Sequence, residues 1–309
     1  MIIIIAEPND IHAQVVARRL ETRGEACITL NAADFPQRWD ITTEYSGSEG
    51  CDLLVTPAGE IRGSEITGLW VRRLSAHEIS PEIADPTVAR FAYEQCRDHF
   101  LSFADSIPNV INPRVAELNA ELKPFQLRAA QAVGLRVPKT IISNRADHIK
   151  QFVAAANTDI IFKTLTPTGF QFTATSLLNE SNISMLDAAK LAPTIFQERI
   201  IPGVNIRATI IDDIVFAASI KTETDLGAVD WRLDRDTEIR PYRLSGEIED
   251  RLRALCRKMG LRYGAADLIL STAGEYVFLE INAGGQFLFV EIHGEIPISE
   301  AIADALIGA

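Results

Sequence analysis

The sequence predicts a mixed α/β protein whose C-terminal half is α+β in character and rich in strands. Three observations carry that prediction. The chain opens on an apolar run followed by a turn and a helical stripe. Its second half holds a series of short apolar runs separated by turn residues. Near its end, Tyr263–Gln286 (YGAADLILSTAGEYVFLEINAGGQ) reads as two strands with acidic and amide groups set among apolar ones.

Taken in order, Ile2–Ala6 is a first strand and Glu7-Pro8-Asn9-Asp10 a turn. Over Ile11–Thr22, Ile11, Val15, Val16 and Leu20 recur at helical spacing. Gly24 ends that helix, and Ala26–Leu30 is the next strand. A β-α-β start implies a parallel sheet with crossover helices. No GxGxxG occupies the first turn, which argues against a dinucleotide site there. Gly68–Leu74 (GLWVRRL) reads as another strand end, and Pro81 to Ser106 as helical. A loop with Pro108, Asn112 and Pro113 sets a boundary at residue 112.

Pro124 begins a helix, since its missing N–H costs nothing in a first turn, and Gly134 ends it. Val137–Ile142, Ile160–Thr164, Gln171–Leu177, Ile195–Glu198, Ile206–Ile211 and Ile214–Lys221 are strand regions. Ser245 caps a helix with Glu247 and Glu249 in its first turn and Arg257 and Lys258 in its last. The helix macrodipole favours that distribution, and Gly260 supplies the stop. Ile248, Leu252, Leu255, Cys256 and Met259 form its buried stripe. The expected units are residues 1–112, 113–194 and 195–309.

Composition narrows the function. The chain has 309 residues, 47% hydrophobic and 23% charged, an ordinary globular balance. A net charge of −12 and a pI near 5.0 argue against a general nucleic-acid binder, while allowing a local basic cleft. No apolar run approaches the length of a membrane span, and MIIII is too short for a signal peptide. Cys27, Cys51, Cys96 and Cys256 are scattered without CxxC spacing. They read as small core residues in a reducing, cytoplasmic setting.

The hairpin holds the chemistry. If Ala273-Gly274 is the whole turn, Asp267 lies opposite Glu280, and strand alternation puts Glu280 and Asn282 on one face. Carboxylates that close need protonation, a cationic partner or a metal, and a small oxygen-donor set suits Mg²⁺. The alternative is a solvated strand face. Lys123 precedes the Pro124 helix, whose N-terminus favours phosphate, and Lys163 ends the strand IIFK. Phe196–Gly203 switches from strand to turn, where backbone groups can bond an adenine edge. Arg207 opens the next strand with a guanidinium suited to a transferring phosphoryl group, and Lys221 ends the one after it. For each of these cations the alternative is a surface residue or an ion pair.

In chain order this set (Lys123, Lys163, Gln197-Glu198, Gly203-x-x-Ile206-Arg207, Lys221, Asp267, Glu280-x-Asn282) resembles the ATP-grasp superfamily. GLWVRR, ELKPFQLRAAQAVGLRVPKTIISN, VDWR and LEINAGGQFLFVE are similar to one branch, the ATP-grasp ribosomal peptide maturases or graspetide synthetases that include microviridin ligases. The resemblance implies an ATP-grasp fold behind a Rossmann-like pre-ATP-grasp domain. It implies ATP and Mg²⁺ as cofactors and a ribosomal precursor peptide, leader plus core, as substrate. Asp or Glu side chains of that peptide would be activated as acyl phosphates and joined to Ser, Thr or Lys side chains as macrolactones or macrolactams.

It further implies Lys123 and Lys163 as phosphate ligands, Gln197, Glu198 and Ile201 as the adenine hinge, and Asp267, Glu280 and Asn282 as Mg²⁺ ligands. Arg207 would stabilise the transferring phosphoryl group, Lys221 would reach the same phosphate, and Arg232 of VDWR would meet the acceptor carboxylate or acyl phosphate. Trp70, Arg72 and Arg73 match the branch without an implied role. Ala283 stands where many relatives have proline, so a less rigid turn is expected there. The loop Thr164–Ala174 has one glycine, Gly169, so a phosphate lid there would rely on Thr164, Thr166 and Thr168. His77, His99 and His293 are unassigned, and no general base stands out. A homodimer is compatible with the apolar N-terminal domain. Two other readings stay open: an ATP-grasp ligase for amino acids or protein termini, and a non-catalytic ATP-binding sensor or scaffold.

Overall fold

The computed structural model describes residues 1–46, 49–166, 175–222, 224 and 237–308. Strand β1 (Ile2–Ile5) leads into helix α1 (Ile11–Thr22), which Asp10 caps by accepting from the Ala13 N–H at 2.9 Å. The chain returns in β2 (Cys27–Leu30), parallel to β1. Next comes an antiparallel sheet without counterpart in the sequence reading: β3 (Asp40–Ser46), β4 (Glu49–Thr56) and β5 (Gly59–Arg62). Strand β6 (Gly68–Val71), helix α2 (Pro86–Ser106) and strand β7 (Val110–Ile111) complete a parallel sheet ordered β2-β1-β6-β7. Helix α2 starts at Pro86, later than the expected Pro81. Asp85 caps it by accepting from Thr87 and Val88 N–H groups, which fixes the start.

The isoleucine run is buried on both faces of this sheet. Ile2 and Ile4 join a core with Trp70, Tyr263 and Phe287, while Ile3 and Ile5 pack with Trp39, Leu54, Phe100 and Phe103. A central parallel strand covered on both faces reads as a continuous apolar run for this reason.

Helices α3 (Arg114–Glu121) and α4 (Lys123–Ala132) follow. Strands β8 (Thr140–Ser143), β9 (Ile160–Lys163), β10 (Ser176–Leu177) and β11 (Thr194–Glu198) form a second sheet ordered β10-β9-β11-β8. Helices α5 (Ala146–Ala154) and α6 (Met185–Ala188) belong to the same region, where Ile149, Leu186 and Phe196 share a small core.

Strands β12 (Pro202–Ile211), β13 (Ile214–Lys221), β14 (Glu238–Pro241), β15 (Tyr263–Ser271) and β16 (Tyr276–Asn282) form an antiparallel sheet ordered β14-β13-β12-β15-β16. Helix α7 (Gly246–Met259) lies on one face, with the Ser245 cap, the buried stripe and the Gly260 stop that its sequence predicts. Ile206, Ala208, Ile210, Ala266, Leu268, Phe278 and Ile281 face that side. Alternation along β12, β15 and β16 therefore turns Arg207, Asp267 and Glu280 to the other face. Helices α8 (Leu288–Gly294) and α9 (Ile298–Ile307), absent from the sequence reading, join Tyr263 and the β1 face in a common core. Cys256 is buried as expected, but Cys51 is exposed on β4. Among the described residues no helix is long and apolar enough to cross a membrane.

The hairpin turn is longer than two residues. The Ser271 N–H donates to the Glu275 carbonyl at 2.9 Å, leaving Thr272, Ala273 and Gly274 as the loop, with Gly274 at φ +81°. The register nevertheless puts Asp267 opposite Glu280, because it shifts by one between Asp267 and Leu268, where Leu268 faces Phe278. Leu279 is the extra residue of a β-bulge that cancels the extra turn residue.

Candidate active site

Arg207, Asp267 and Glu280 stand side by side across three adjacent strands, since Asp267 pairs with Arg207 on β12 and with Glu280 on β16. Arg207 Nη1 donates to Asp267 Oδ1 at 2.9 Å. Lys123 Nζ, from the first turn of α4, donates to Glu280 Oε2 at 2.6 Å. Asn282 Nδ2 donates to Glu280 Oε1 at 3.4 Å. The two carboxylates that the hairpin brings together thus each have a cation at hand, which offsets their mutual repulsion and lost hydration. The Arg207 guanidinium also sits over the Phe289 ring, 5.8 Å from its centroid. Its buried Nε has no hydrogen-bond partner among the described residues.

These groups line a cleft of about 1190 Å³. Lys163, Thr164 and Thr166 line it as well, so of the expected phosphate groups Lys123 and Lys163 open on one space. Arg73, Arg114, Glu117 and His293 line it too. His77 and His99 lie elsewhere, His77 Nδ1 against the Ala32 carbonyl at 2.8 Å and His99 Nε2 against Thr43 Oγ1 at 3.0 Å.

Gln197, Glu198 and Ile201 are not among the described residues lining the cleft. The buried Gln197 donates from Nε2 to Thr140 Oγ1 at 2.8 Å, and Glu198 Oε1 accepts from the Lys139 N–H at 3.0 Å. Ile201, just beyond β11, is exposed. Lys221 ends β13 opposite Glu238 and is also outside the lining, though Thr237 and Ile239 of the adjoining segment belong to it. Arg232 with VDWR, and Thr168 with Gly169, lie outside the described residues.

What holds Glu280, Asn282 and the turn after them is a set of polar clamps, and sequence reasoning missed most of them. Gln126, buried on α4, donates from Nε2 to the Ile281 carbonyl and accepts from the Ile281 N–H, both at 3.0 Å. The sequence signal was present: Gln126 lies three residues after Lys123, a helical spacing that aims both at one strand. Beyond Asn282, three successive carbonyls are held. Asn112 Nδ2 donates to Ala283 O at 3.0 Å, Arg72 Nη1 to Gly284 O at 2.7 Å, and Tyr263 Oη to Gly285 O at 2.7 Å. Burial pushes the Tyr263 hydroxyl up to about pKa 12, so it stays a donor. The turn expected to be less rigid for want of proline is fixed by side chains instead. Arg114 and Glu117, one turn apart on α3, were also missed. They form an ion pair in the cleft wall, and burial lowers the Arg114 pKa.

The sequence matches a family model, the RimK-like ATP-grasp domain, over residues 119–306. The chain belongs to the RimK-like ATP-grasp family. Ahead of its ATP-grasp domain, residues 1–117 match the MvdD pre-ATP grasp domain. The ATP-grasp chain superposes on macrocyclase MdnC from Microcystis aeruginosa MRC, solved with precursor peptide MdnA, at a TM-score of 0.87 and 27% identity, covering 100% of this chain and 99% of that one. It is similar to the Chryseobacterium gregarium RiPP-associated ATP-grasp ligase in complex with ADP and a leader and core peptide, with TM-score 0.89, 26% identity and coverage of 99% and 96%. A RimK domain ATP-grasp protein from Sphaerobacter thermophilus DSM 20745 shares the fold at TM-score 0.61 and 12% identity, covering 99% of each chain. No curated protein sequence matches the chain.

Proposed function

We propose that this ATP-grasp protein is an ADP-forming ligase that cross-links side chains of a ribosomally made precursor peptide. The observation that carries the reading is the Arg207–Asp267–Glu280–Lys123 array in a cleft large enough for a nucleotide and a peptide segment. It gains weight from likeness over the full chain to a macrocyclase bound to its precursor.

The residues present fit a Mg²⁺–nucleotide complex. Asp267, Glu280 and Asn282 offer only oxygen ligands beside cations, and Arg207 keeps a buried donor without a partner among the described residues. Asp267, Glu280 and Asn282 are the proposed Mg²⁺ ligands, and the ion, when bound, neutralises phosphate charge. Lys123 and Lys163 hold phosphate oxygens. Arg207 stabilises the transferring phosphoryl group, and Lys221 supports the same phosphate. Gln197, Glu198 and Ile201 form the adenine hinge, and Arg232 receives the acceptor carboxylate or acyl phosphate. The proposed division is residues 1–112, 113–194 and 195–309.

The chemistry has two steps. A precursor Asp or Glu oxygen attacks the γ-phosphorus, the new O–P bond forms, and the bond to ADP breaks. A Ser or Thr hydroxyl, or a Lys amine, of the same peptide then attacks the acyl carbon. Phosphate leaves with the bonding pair, and the nucleophile's proton passes to phosphate or water. Because both groups belong to one bound peptide, alignment can contribute several kcal/mol, up to about 7–11 in well-oriented models. A leader segment docked apart from the cleft raises the local concentration of each acceptor.

A cytoplasmic setting is part of this reading, in keeping with four free cysteines, and so is a homodimer, testable by sedimentation. The main test incubates the protein with ATP, Mg²⁺ and the short acidic peptide encoded nearest its gene. Loss of one water per ADP formed supports ring closure. A mass gain equal to an amino acid favours the amino-acid ligase reading. Nucleotide binding with unchanged peptide favours the silent sensor.

A further inference from the structure

The two adjacent arginines of GLWVRR part company in the fold. Both line the cleft, but Arg73 is exposed, whereas the Arg72 side chain is 2% exposed. The Arg72 backbone N–H donates to the Ile5 carbonyl at 2.9 Å, anchoring the residue at the end of the β1–β6 ladder. Its guanidinium then reaches out of the N-terminal domain. Nη1 meets the Gly284 carbonyl at 2.7 Å, and Nε lies 3.6 Å from Asp10 Oδ2. The Asp10 side chain is 7% exposed, and its other oxygen caps α1. Two elements of the N-terminal domain thus converge on the turn two residues past Asn282.

A buried guanidinium is a costly way to satisfy one carbonyl, since desolvating the charge costs several kcal/mol before any pairing. The neighbouring carbonyls of Ala283 and Gly285 are held by neutral donors, Asn112 and Tyr263. What a guanidinium adds is a rigid plane that can hydrogen-bond a carbonyl on one side while its charge pairs with a carboxylate on the other. Gly284 is the middle carbonyl of the three, and the turn lacks the proline that would stiffen it from within. Groups that fix metal ligands from outside tune metal affinity, typically by about 10–100-fold.

We propose that Arg72, braced by Asp10, is a positioning residue that sets the Asn282–Gly285 turn and through it the geometry of Glu280 and Asn282 toward the metal. The N-terminal domain thereby completes a metal site built on the C-terminal sheet. This rests on the metal role given to Glu280 and Asn282 above.

The test measures Mn²⁺ binding by electron paramagnetic resonance with saturating ADP, for the parent, Arg72→Gln, Arg72→Lys and Glu280→Gln. ADP binding without metal and thermal melting are followed in parallel. Arg72→Gln should weaken Mn²⁺ binding about tenfold with metal-free ADP binding unchanged, and Arg72→Lys should recover part of the loss. Where Arg72→Gln fails to fold, Arg72→Lys decides, because it keeps a cation for Asp10 but lacks the rigid plane. Arg72 variants that melt earlier yet bind Mn²⁺ like the parent, while Glu280→Gln does not, overturn this inference alone. Equal Mn²⁺ binding by the parent and Glu280→Gln overturns the metal reading and this inference with it.

Discussion

The Gln126 side-chain amide pairs with both backbone groups of Ile281, its Nε2 donating to the carbonyl and its Oε1 accepting from the N–H, each at 3.0 Å. Ile281 lies between Glu280 and Asn282 on β16, the last strand in its sheet. A helix side chain thus takes the place of a further strand at the point where the acidic group and the amide project. Gln126→Met keeps the volume but leaves both backbone groups of Ile281 unpaired, and removes the donor that the Ala120 carbonyl also meets. Over the two Ile281 groups alone it should lower stability by about 2–6 kcal/mol, at about 1–3 kcal/mol per group, read as a reduced urea midpoint with unchanged slope.

Glu280→Gln removes one carboxylate charge and weakens the ion pair to Lys123, whose side chain is 16% exposed. The fold should persist, since the amide still accepts a hydrogen bond. ADP formation with the cognate peptide should fall by about 100-fold or more, because loss of mere support around a ligand already costs about 10–100-fold. Coupled ADP detection checks this, and turnover at the parent rate would remove Glu280 from the site.

Lys163→Ala separates binding from folding. Lys163 ends β9, and the β9–β11 ladder does not depend on its side chain. Loss of a charge-assisted contact to phosphate should weaken ADP binding by about 10- to 100-fold, corresponding to ~1.5–3 kcal/mol. Calorimetric titration beside a melting curve checks it; equal losses in both would mark the lysine as structural.

Gly68 is sterically required on β6. A Cβ added there would fall within hard contact of the Leu306 carbonyl oxygen in α9. That oxygen is already held by Asn109 Nδ2 at 2.8 Å, and β6 is paired to β1 and β7. Neither backbone can retreat freely, so Gly68→Ala should cost about 1–3 kcal/mol, seen by denaturant unfolding.

His12 should make the protein acid-sensitive. Burial, then the nearby Arg72 guanidinium, lowers its pKa from 6.5 to about 4. The unfolded chain binds this proton first, so stability is full above pH 6.5 and falls as pH drops toward 4. The contribution is on the order of 3 kcal/mol across that window. His12→Gln should flatten the stability slope between those pH values relative to the parent, measured by melting at fixed ionic strength. An unchanged slope would place the sensitivity in the carboxylates.

The sequence by itself determined the inventory of charged groups and many of the local elements, though not β3–β5, α8 or α9. Helical spacing marked α1 with a glycine stop and α7 with a cap and a stop, since those signals lie within one turn of each element. Alternation put Asp267, Glu280 and Asn282 on one hairpin face, because a strand's period decides its faces before any partner is known. The ordered lysines, arginine and acids carried the ATP-grasp resemblance because residue type and order along the chain are properties of the sequence itself.

Tertiary structure alone decided which of these groups meet and what steadies them. The hairpin register survived a wrong turn length only because a bulge at Leu279 compensates for it. Arg72 and Arg73 are chemically identical in the sequence and both line the cleft, yet one is buried against Gly284 O and the other is exposed. Gln126 and Ile281 are 155 positions apart, and Asn112 and Ala283 are 171 apart. Periodicity encodes the face of an element and not its partner, so contacts between remote segments, and the clamps they build, arise only when the core closes.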